Sequence, residues 1–292
     1  MDDNVVFGST VAGGHQYDLE YSPKHHPKLL HNIKGLIFDF DGTLFDNALI
    51  ALNLILACPT DALRTWKERL VRKRFAGCDY ASPEEYHQAF FTALGKLSFR
   101  SPQKVRDWYF NRYMPRMVRV LRRHYQPRPG VQKLFLRFGG KARGLSADGG
   151  AEAGRAEAGR AGNLPRIAVY SDYPFLKERL EALGVIAVPG VFLYGPESFG
   201  AQKPAAGPFL RIAADLGVRP EEVLVIGDRH DTDGLGAFNA GMRFFCLETG
   251  RRRYFRLDPY RRRPEEEPHG PSLVMYAGVW DDLIKVLMDH KE

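Results

Sequence analysis

The fold of this 292-residue chain is decided by residues 34–43, which read KGLIFDFDGT. A short apolar run, Leu36 to Phe38, passes directly into two acids, Asp39 and Asp41, and then into a glycine. This pattern is typical of a buried parallel strand that emerges into a loop. We therefore expect a strand that ends at the two acids.

The chain beyond residue 163 alternates short apolar runs with helical patterns. Strands are predicted over 166–170, 188–194, 223–226 and 243–247, and helices over 174–183, 208–216, about 235–240 and 279–289. Repeated βα units of this length imply an α/β fold, a doubly wound parallel sheet with helices on both faces. In such sheets the functional site lies beyond the carboxyl ends of the strands.

The pattern between about 45 and 125 is helical instead. Residues 82–85, SPEE, have the features of a capping box that begins a helix with serine as its N-cap. Ser101 opens a second long helix, which we expect to kink near Pro115. The longest apolar stretch of the chain, 48–57, is interpreted as a buried helix.

Three segments lie outside these patterns. Residues 1–32 mix Gly, His, Pro and charge, and are interpreted as an N-terminal extension. Residues 144–163 contain the repeat AEAGRAEAGR and are expected to form a flexible surface insertion. The basic segment 251–263 is followed directly by three glutamates, 265–267, so we expect no nucleic-acid partner.

Composition narrows the function classes. The net charge of +7 favours anionic partners, but does not choose among phosphate esters, nucleic acid and acidic surfaces. No apolar run approaches the roughly 20 residues of a membrane span, and the N-terminus lacks the pattern of a signal peptide. The cysteines Cys58, Cys78 and Cys246 are far apart, which argues against a disulfide framework or a structural zinc site. We expect a cytoplasmic protein without a membrane partner.

Polar side chains collect at three predicted strand ends and in one loop. They are Asp39, Asp41, Ser171, Lys203, Asp228, Asp231 and Asp233. Two carboxylates two residues apart can supply a nucleophile and a general acid if a metal keeps them distinct. Mg²⁺ prefers oxygen ligands and usually takes one or two carboxylates together with a substrate phosphate.

The remaining groups suit the charge of a phosphoryl group. Lys203 would screen that charge, and Ser171 can donate a hydrogen bond to a phosphoryl oxygen. Gly42 and Thr43 lie where backbone N–H groups would face an anion. Hydrolysis of a phosphate monoester requires this combination of nucleophile, proton donor and cations.

Four motifs carry a resemblance to a known family. Residues 39–44 read DFDGTL, 169–172 VYSD, 203–204 KP, and 227–233 GDRHDTD. In this order the motifs resemble those of the haloacid dehalogenase-like (HAD) hydrolase superfamily, in particular phosphatases similar to phosphoglycolate phosphatases. The resemblance covers roughly residues 33 to 250.

The resemblance implies a mechanism. Asp39 would be the nucleophile that forms an aspartyl-phosphate, and Asp41 would protonate the leaving group and later activate water. Ser171 and Lys203 would stabilise the phosphoryl group. The family's true dehalogenases lack the second acid of the first motif, so Asp41 favours phosphate over haloacid chemistry.

The resemblance also implies a metal site and a phosphate cradle. Magnesium would be held by Asp39, the backbone carbonyl of Asp41, Asp228 and Asp233. For Asp231, a metal role and a helix-capping role both remain open. The substrate-binding positions would be Gly42, Thr43 and Asp172, although relatives often carry Asn or Gly at the position of Asp172.

The implied domain organisation is a Rossmann-like HAD core over 33–45 and 128–292 with an inserted α-helical cap over 46–127. Such a cap sets substrate choice and excludes water from the reaction. The expected function is a Mg²⁺-dependent phosphatase acting on a small phosphorylated metabolite. A phosphomutase on the same scaffold and a regulatory or binding protein without turnover are the alternatives.

Overall fold

The structure of the protein is a computed structural model that describes residues 6–12, 15–21, 29–139, 164–186, 188–249 and 273–289. For the first two of these ranges it describes the backbone alone. The repeat insertion at 144–163 and the basic segment at 251–263 lie outside the described residues, so the expectations for both remain predictions.

Eight strands form one sheet in the order β1-β2-β8-β7-β6-β3-β4-β5. They are β1 Val6–Ala12, β2 His15–Tyr21, β3 Gly35–Asp39, β4 Arg166–Tyr170, β5 Val191–Tyr194, β6 Val223–Gly227, β7 Arg243–Leu247 and β8 Leu273–Gly278. Every neighbouring pair is parallel except β1 and β2. The chain runs outward from β3 through β4 to β5 and then returns to β6 on the other side of β3. The strand order therefore reverses between β3 and β6, where such sheets place their ligands.

Helices cover both faces of the sheet, as the alternation of βα units predicted. They are α6 Val131–Gly139, α7 Leu176–Ala182, α8 Ala206–Asp215, α9 Leu235–Asn239 and α10 Trp280–Asp289. Successive side chains of a strand point to opposite faces. In β3, Leu36 and Phe38 accordingly join the buried cluster that contains α6, α7 and α10 residues, whereas Ile37 joins the cluster that contains α8 and α9 residues. This confirms the doubly wound α/β fold.

Three strands were missed by the sequence analysis. β1 and β2 lie within residues 1–32, where polar and glycine residues interrupt any alternation of apolar residues. β8 follows a highly charged stretch and is only six residues long. These segments are strands because β8 pairs with β7 and β2 pairs with β8. A local sequence pattern does not identify pairing partners that are distant in the chain.

The chain between β3 and α6 forms five helices, here called the helical block. They are α1 Ile50–Leu56, α2 Ala62–Arg74, α3 Pro83–Ser98, α4 Pro102–Trp108 and α5 Met114–His124. Helices α3 and α4 begin where predicted, each with a serine as N-cap: the Ser82 hydroxyl accepts from the Glu85 N–H at 3.2 Å, and the Ser101 hydroxyl from the Lys104 N–H at 3.4 Å. None of the helices in the described part of the chain is long and apolar enough to cross a membrane.

Two details of the helical block differ from the prediction. The expected long helix with a kink is two helices joined by a π-helical turn, Tyr109–Tyr113, which lies just before Pro115. Proline cannot donate the next helical hydrogen bond, so the chain changes its winding there. The stretch 48–57 does form a helix, but the prediction that it is buried is wrong: only Leu54 is buried in α1. Its leucines are two residues apart, at positions 52, 54 and 56, so they point to different faces of the helix.

Candidate active site

The end of β3 places Asp39 at the reversal point of the sheet. Asp39 is the last residue of the strand and is buried, and it pairs in register with Tyr170, the last residue of β4. The Thr43 hydroxyl donates to Asp39 Oδ2 at 3.1 Å. Gly42 has a φ of 97°, which lets the chain turn back beneath the carboxylate. Local sequence therefore fixes the orientation of the predicted nucleophile.

Lys203 joins two of the buried acids. Its Nζ donates to Asp39 Oδ1 at 2.6 Å and to Asp233 Oδ1 at 2.8 Å, and it donates to the Tyr170 carbonyl at 3.0 Å. Burial, and then the charge of Asp233, raises the pKa of Asp39, while Lys203 opposes this rise. Although burial lowers the pKa of Lys203, the charges of Asp233 and Asp39 outweigh it and raise the pKa. The lysine is thus a fixed cation against the predicted nucleophile.

Three buried carboxylates form a group that could hold a cation. Asp39, Asp228 and Asp233 offer ligand oxygens that all lie within 4.8 Å of one another. Asp228 follows β6, and a π-helical turn, His230–Gly234, brings Asp233 back toward it. Hard carboxylate oxygens suit Mg²⁺, and the crowding of buried negative charge favours a cation among them. The donor set therefore fits the predicted magnesium ion.

Asp231 lies away from this group. Its carboxylate pairs with the exposed Arg229 guanidinium at 2.7 Å, and it is not among the described residues that form the acidic cluster. The helical turn that contains it has no side-chain cap hydrogen bond. The structure thus places Asp231 in neither of the two roles that the sequence left open.

Asp41, the predicted general acid, is held by an arginine that sequence reasoning missed. Arg179 Nη2 forms an ion pair with Asp41 Oδ1. Ser171 Oγ donates to Asp41 Oδ2 at 3.1 Å and accepts from Arg179 Nη1 at 2.9 Å and from the Tyr173 N–H at 3.1 Å. The Ser171 hydroxyl proton is thus directed toward Asp41 in this structure, and its donation to a phosphoryl oxygen remains a prediction.

A signal for Arg179 does exist in the sequence. Leu176, Arg179, Leu180 and Leu183 have the spacing of one helix face, and that face of α7 is buried. A cation at a position of the apolar stripe must find a buried partner, because an unpaired buried charge is very costly. The pattern predicts burial with a partner, but it does not identify the partner.

Asp172 takes a supporting position. Its Oδ1 accepts from the Lys203 N–H at 3.1 Å, and its carbonyl accepts from Arg72 Nη1 at 2.6 Å. The carbonyls of Gly42 and Thr43 accept from Arg128 at 3.1 Å and 2.9 Å. Arg128 is a second residue that the sequence analysis did not name. These contacts brace the loops that carry Asp41 and Lys203.

A cavity of about 450 Å³ lies between the helical block and the strand ends. On the side of the sheet its lining includes Asp39, Asp41, Asp172, Lys203 and Asp233. The helical block contributes Arg69, Arg72 and Lys73 as the titratable members of its wall, together with Asn47, Ile50, Ala76 and Met117. The charges on that wall are all positive, so the cavity presents a cationic wall to a ligand seated on the acids. One of the three cations, Arg72, is paired with the buried Glu68, which is outside the lining.

Comparison with known protein families identifies the family of the chain. The sequence profile of the haloacid dehalogenase-like hydrolase family matches residues 33–241. The chain therefore belongs to the haloacid dehalogenase-like hydrolases, which confirms the resemblance carried by the four motifs. No curated protein matches the sequence.

Solved structures of similar fold include three hydrolase-family members. A predicted phosphoglycolate phosphatase from Haemophilus somnus 129PT is 19% identical, with 89% of this chain and 98% of that chain covered and a TM-score of 0.47. A 2-haloacid dehalogenase from Pseudomonas syringae pv. tomato DC3000 is 20% identical, with 88% and 98% covered and a TM-score of 0.49. An L-2-haloacid dehalogenase from Xanthobacter autotrophicus is 18% identical, with 89% and 100% covered and a TM-score of 0.48. Nothing about the substrate of this chain follows from these likenesses.

Proposed function

We propose that the chain is a Mg²⁺-dependent phosphohydrolase that cleaves a small phosphate monoester through an aspartyl-phosphate on Asp39. The observation that carries the proposal is the buried Asp39 carboxylate at the floor of the cavity, with Lys203 at 2.6 Å and two further acids beside it. A nucleophile needs an adjacent cation to accept a phosphoryl group, since both are anionic. Lys203 supplies that cation.

The presence of Asp41 supports phosphate over haloacid chemistry. It lies two residues beyond the nucleophile and lines the same cavity, as an acid that exchanges a proton with the leaving group and with water must. Magnesium, held by Asp39, Asp228 and Asp233, would neutralise phosphoryl charge. The backbone carbonyl of Asp41 remains the predicted fourth ligand from the protein.

The cationic wall of the helical block supports an anionic substrate. Arg69, Arg72 and Lys73 face the cavity from α2, opposite the acids. A cleft lined with positive charge raises the local concentration of anions. We propose that this block, within residues 46–127, acts as a cap over the acids and selects the ester.

The cavity supports a substrate class, and the cysteines support a location. A small phosphorylated metabolite remains the proposed substrate class, on the strength of the cavity size and its charge. We propose a reducing cytoplasm as the location, and the free state of the three cysteines supports this proposal.

The test is phosphate release from a panel of phosphate esters, with and without Mg²⁺, at neutral pH. We expect Mg²⁺-dependent release that Asp39→Asn abolishes while its circular dichroism and melting temperature stay close to the wild type. Asp46→Asn is the matched control, because the exposed Asp46 accepts a local hydrogen bond from the Ala48 N–H that asparagine can keep. Turnover near wild type in Asp39→Asn, or no release from any ester, would overturn the proposal.

A further inference from the structure

Arg179 is a fully buried cation, with none of its surface exposed, and it stands among the largest fully buried side chains of the described residues. It lies on α7, on the face that packs against the core. A guanidinium is costly to bury unless charged and hydrogen-bonding partners compensate it. The partners of Arg179 therefore indicate its role.

Those partners are groups of the proposed active site. Arg179 forms an ion pair with Asp41 and donates to Ser171 Oγ at 2.9 Å. Its guanidinium carbon lies 4.4 Å from the ring centroid of Phe40 and 5.5 Å from that of Tyr173. Stacking and hydrogen bonds together leave the guanidinium little freedom to move.

Both oxygens of Asp41 are consequently engaged. Oδ1 accepts from Arg179, and Oδ2 accepts from Ser171 at 3.1 Å. The two contacts, one on each oxygen, fix the orientation of the carboxylate. Its side chain keeps 24% of its surface exposed and lines the cavity, so water can reach it.

We propose that Arg179 is a positioning residue that orients Asp41 as the general base for hydrolysis of the aspartyl-phosphate. The inference rests on the proposed function. In this step a water oxygen forms a bond to phosphorus, and the bond between phosphorus and Asp39 breaks. Its electron pair returns to the Asp39 carboxylate, while the proton of the water goes to Asp41.

This role predicts a kinetic signature that a merely structural role would not produce. With 4-nitrophenyl phosphate the leaving group needs no proton, so formation of the phosphoenzyme proceeds without help from Asp41. If Arg179 orients the base, removing it slows only the second step. The phosphoenzyme then accumulates, and the first turnover appears as a burst of 4-nitrophenolate.

The experiment compares Arg179→Gln with wild type in rapid mixing of Mg²⁺-loaded enzyme with 4-nitrophenyl phosphate. We expect a burst that approaches one 4-nitrophenolate per enzyme, followed by turnover on the order of 10²-fold slower than wild type. Asp41→Asn should give the same signature, and the double variant should be no slower than Asp41→Asn alone. Arg179→Lys keeps the charge without the planar fork, so it should show a smaller version of the defect and serves where Arg179→Gln does not fold.

Arg116→Gln is the matched control. Arg116 is also a buried arginine in an ion pair, with Asp61, but it lies in the helical block and is not part of the cavity lining. Loss of stability alone would lower the active fraction without changing the ratio of burst to steady rate. A slow Arg179→Gln or Arg179→Lys without a burst, or a loss that multiplies with that of Asp41→Asn, would overturn the inference. Failure of the proposed function is distinguishable, because wild type itself would then release no phosphate.

Discussion

Gly42 allows the loop after β3 to lie against the side chain of Asp228, which follows β6. Its φ of 97° lies in the left-handed region, and a Cβ built there would lie 2.5 Å from Asp228 Oδ2 and 2.9 Å from Asn47 Nδ2. Any side chain would therefore push Asp228 away from Asp39. The acidic cluster therefore requires a glycine at position 42.

We expect Gly42→Ala to lower both stability and Mg²⁺ affinity. The left-handed backbone costs an alanine about 1 kcal/mol, and the clash with Asp228 displaces a proposed ligand. Denaturant unfolding and calorimetric titration with Mg²⁺ measure the two effects. Gly184→Ala is the control, since Gly184 also has a positive φ, of 77°, but nothing lies within 4 Å of its Cβ position. Equal Mg²⁺ affinity in the two variants would contradict this reading of Gly42.

The helical block is held together largely by aromatic packing, and one of its rings can titrate. His87 on α3 lies 5.9 Å from the ring centroids of Phe91 and Phe110 and 5.4 Å from that of Tyr86. Burial, and then the charge of Arg106, lowers the pKa of His87 below its usual 6.5. The folded block therefore favours the neutral imidazole.

The stability of the protein should consequently depend on pH through this element. The unfolded chain protonates this histidine more readily than the folded one, so the contribution of His87 to the free energy of unfolding is complete above pH 6.5 and is lost as the pH falls through its folded-state pKa. Denaturant unfolding between about pH 5 and 7.5 measures the slope, and His87→Gln should reduce it. A His87→Gln slope equal to wild type would rule out His87 as the cause.

The molecule as a whole depends on the junction between the helical block and the sheet, and Arg72 lies at that junction. Its guanidinium contacts Glu68 at 2.5 Å and the Tyr109 hydroxyl at 2.8 Å within the block. It also donates to the Asp172 carbonyl at 2.6 Å and lies 4.0 Å from the Tyr173 ring centroid, both beyond β4. Burial lowers the pKa of Arg72, but the charge of Glu68 outweighs burial and raises this pKa well above its usual value.

We expect Arg72→Met to destabilise the protein by about 3–5 kcal/mol, because it leaves Glu68 as an uncompensated buried charge and removes the tie to Asp172. Hydrogen exchange should show that amides of α2 and α3 lose protection before those of the central strands. The exposed Arg119→Met, in the same block, should change stability by no more than about 0.5 kcal/mol. Uniform loss of protection across the sheet and the block would contradict a role at the junction.

Elements that depend on neighbouring residues were predictable from the sequence. The strand from Gly35 to Asp39, the caps at Ser82 and Ser101 and the βα alternation each depend on residues a few positions apart, and the structure has them. The carboxyl ends of parallel strands meet at one edge, so the sequence also indicated that Asp39 and Asp228 would lie together.

Features that depend on residues far apart in the sequence were not predictable, because they form only when the chain folds. The pairing of β8 with β2 makes both of them strands, and the ion pair between Asp41 and Arg179 joins residues 138 positions apart. Burial of a cation in α7, exposure of leucines in α1 and the engagement of the Ser171 hydroxyl all follow from what packs against them. A local pattern records the preference of a residue for burial or for a turn, whereas the identity of its partner is fixed only when the whole chain has folded.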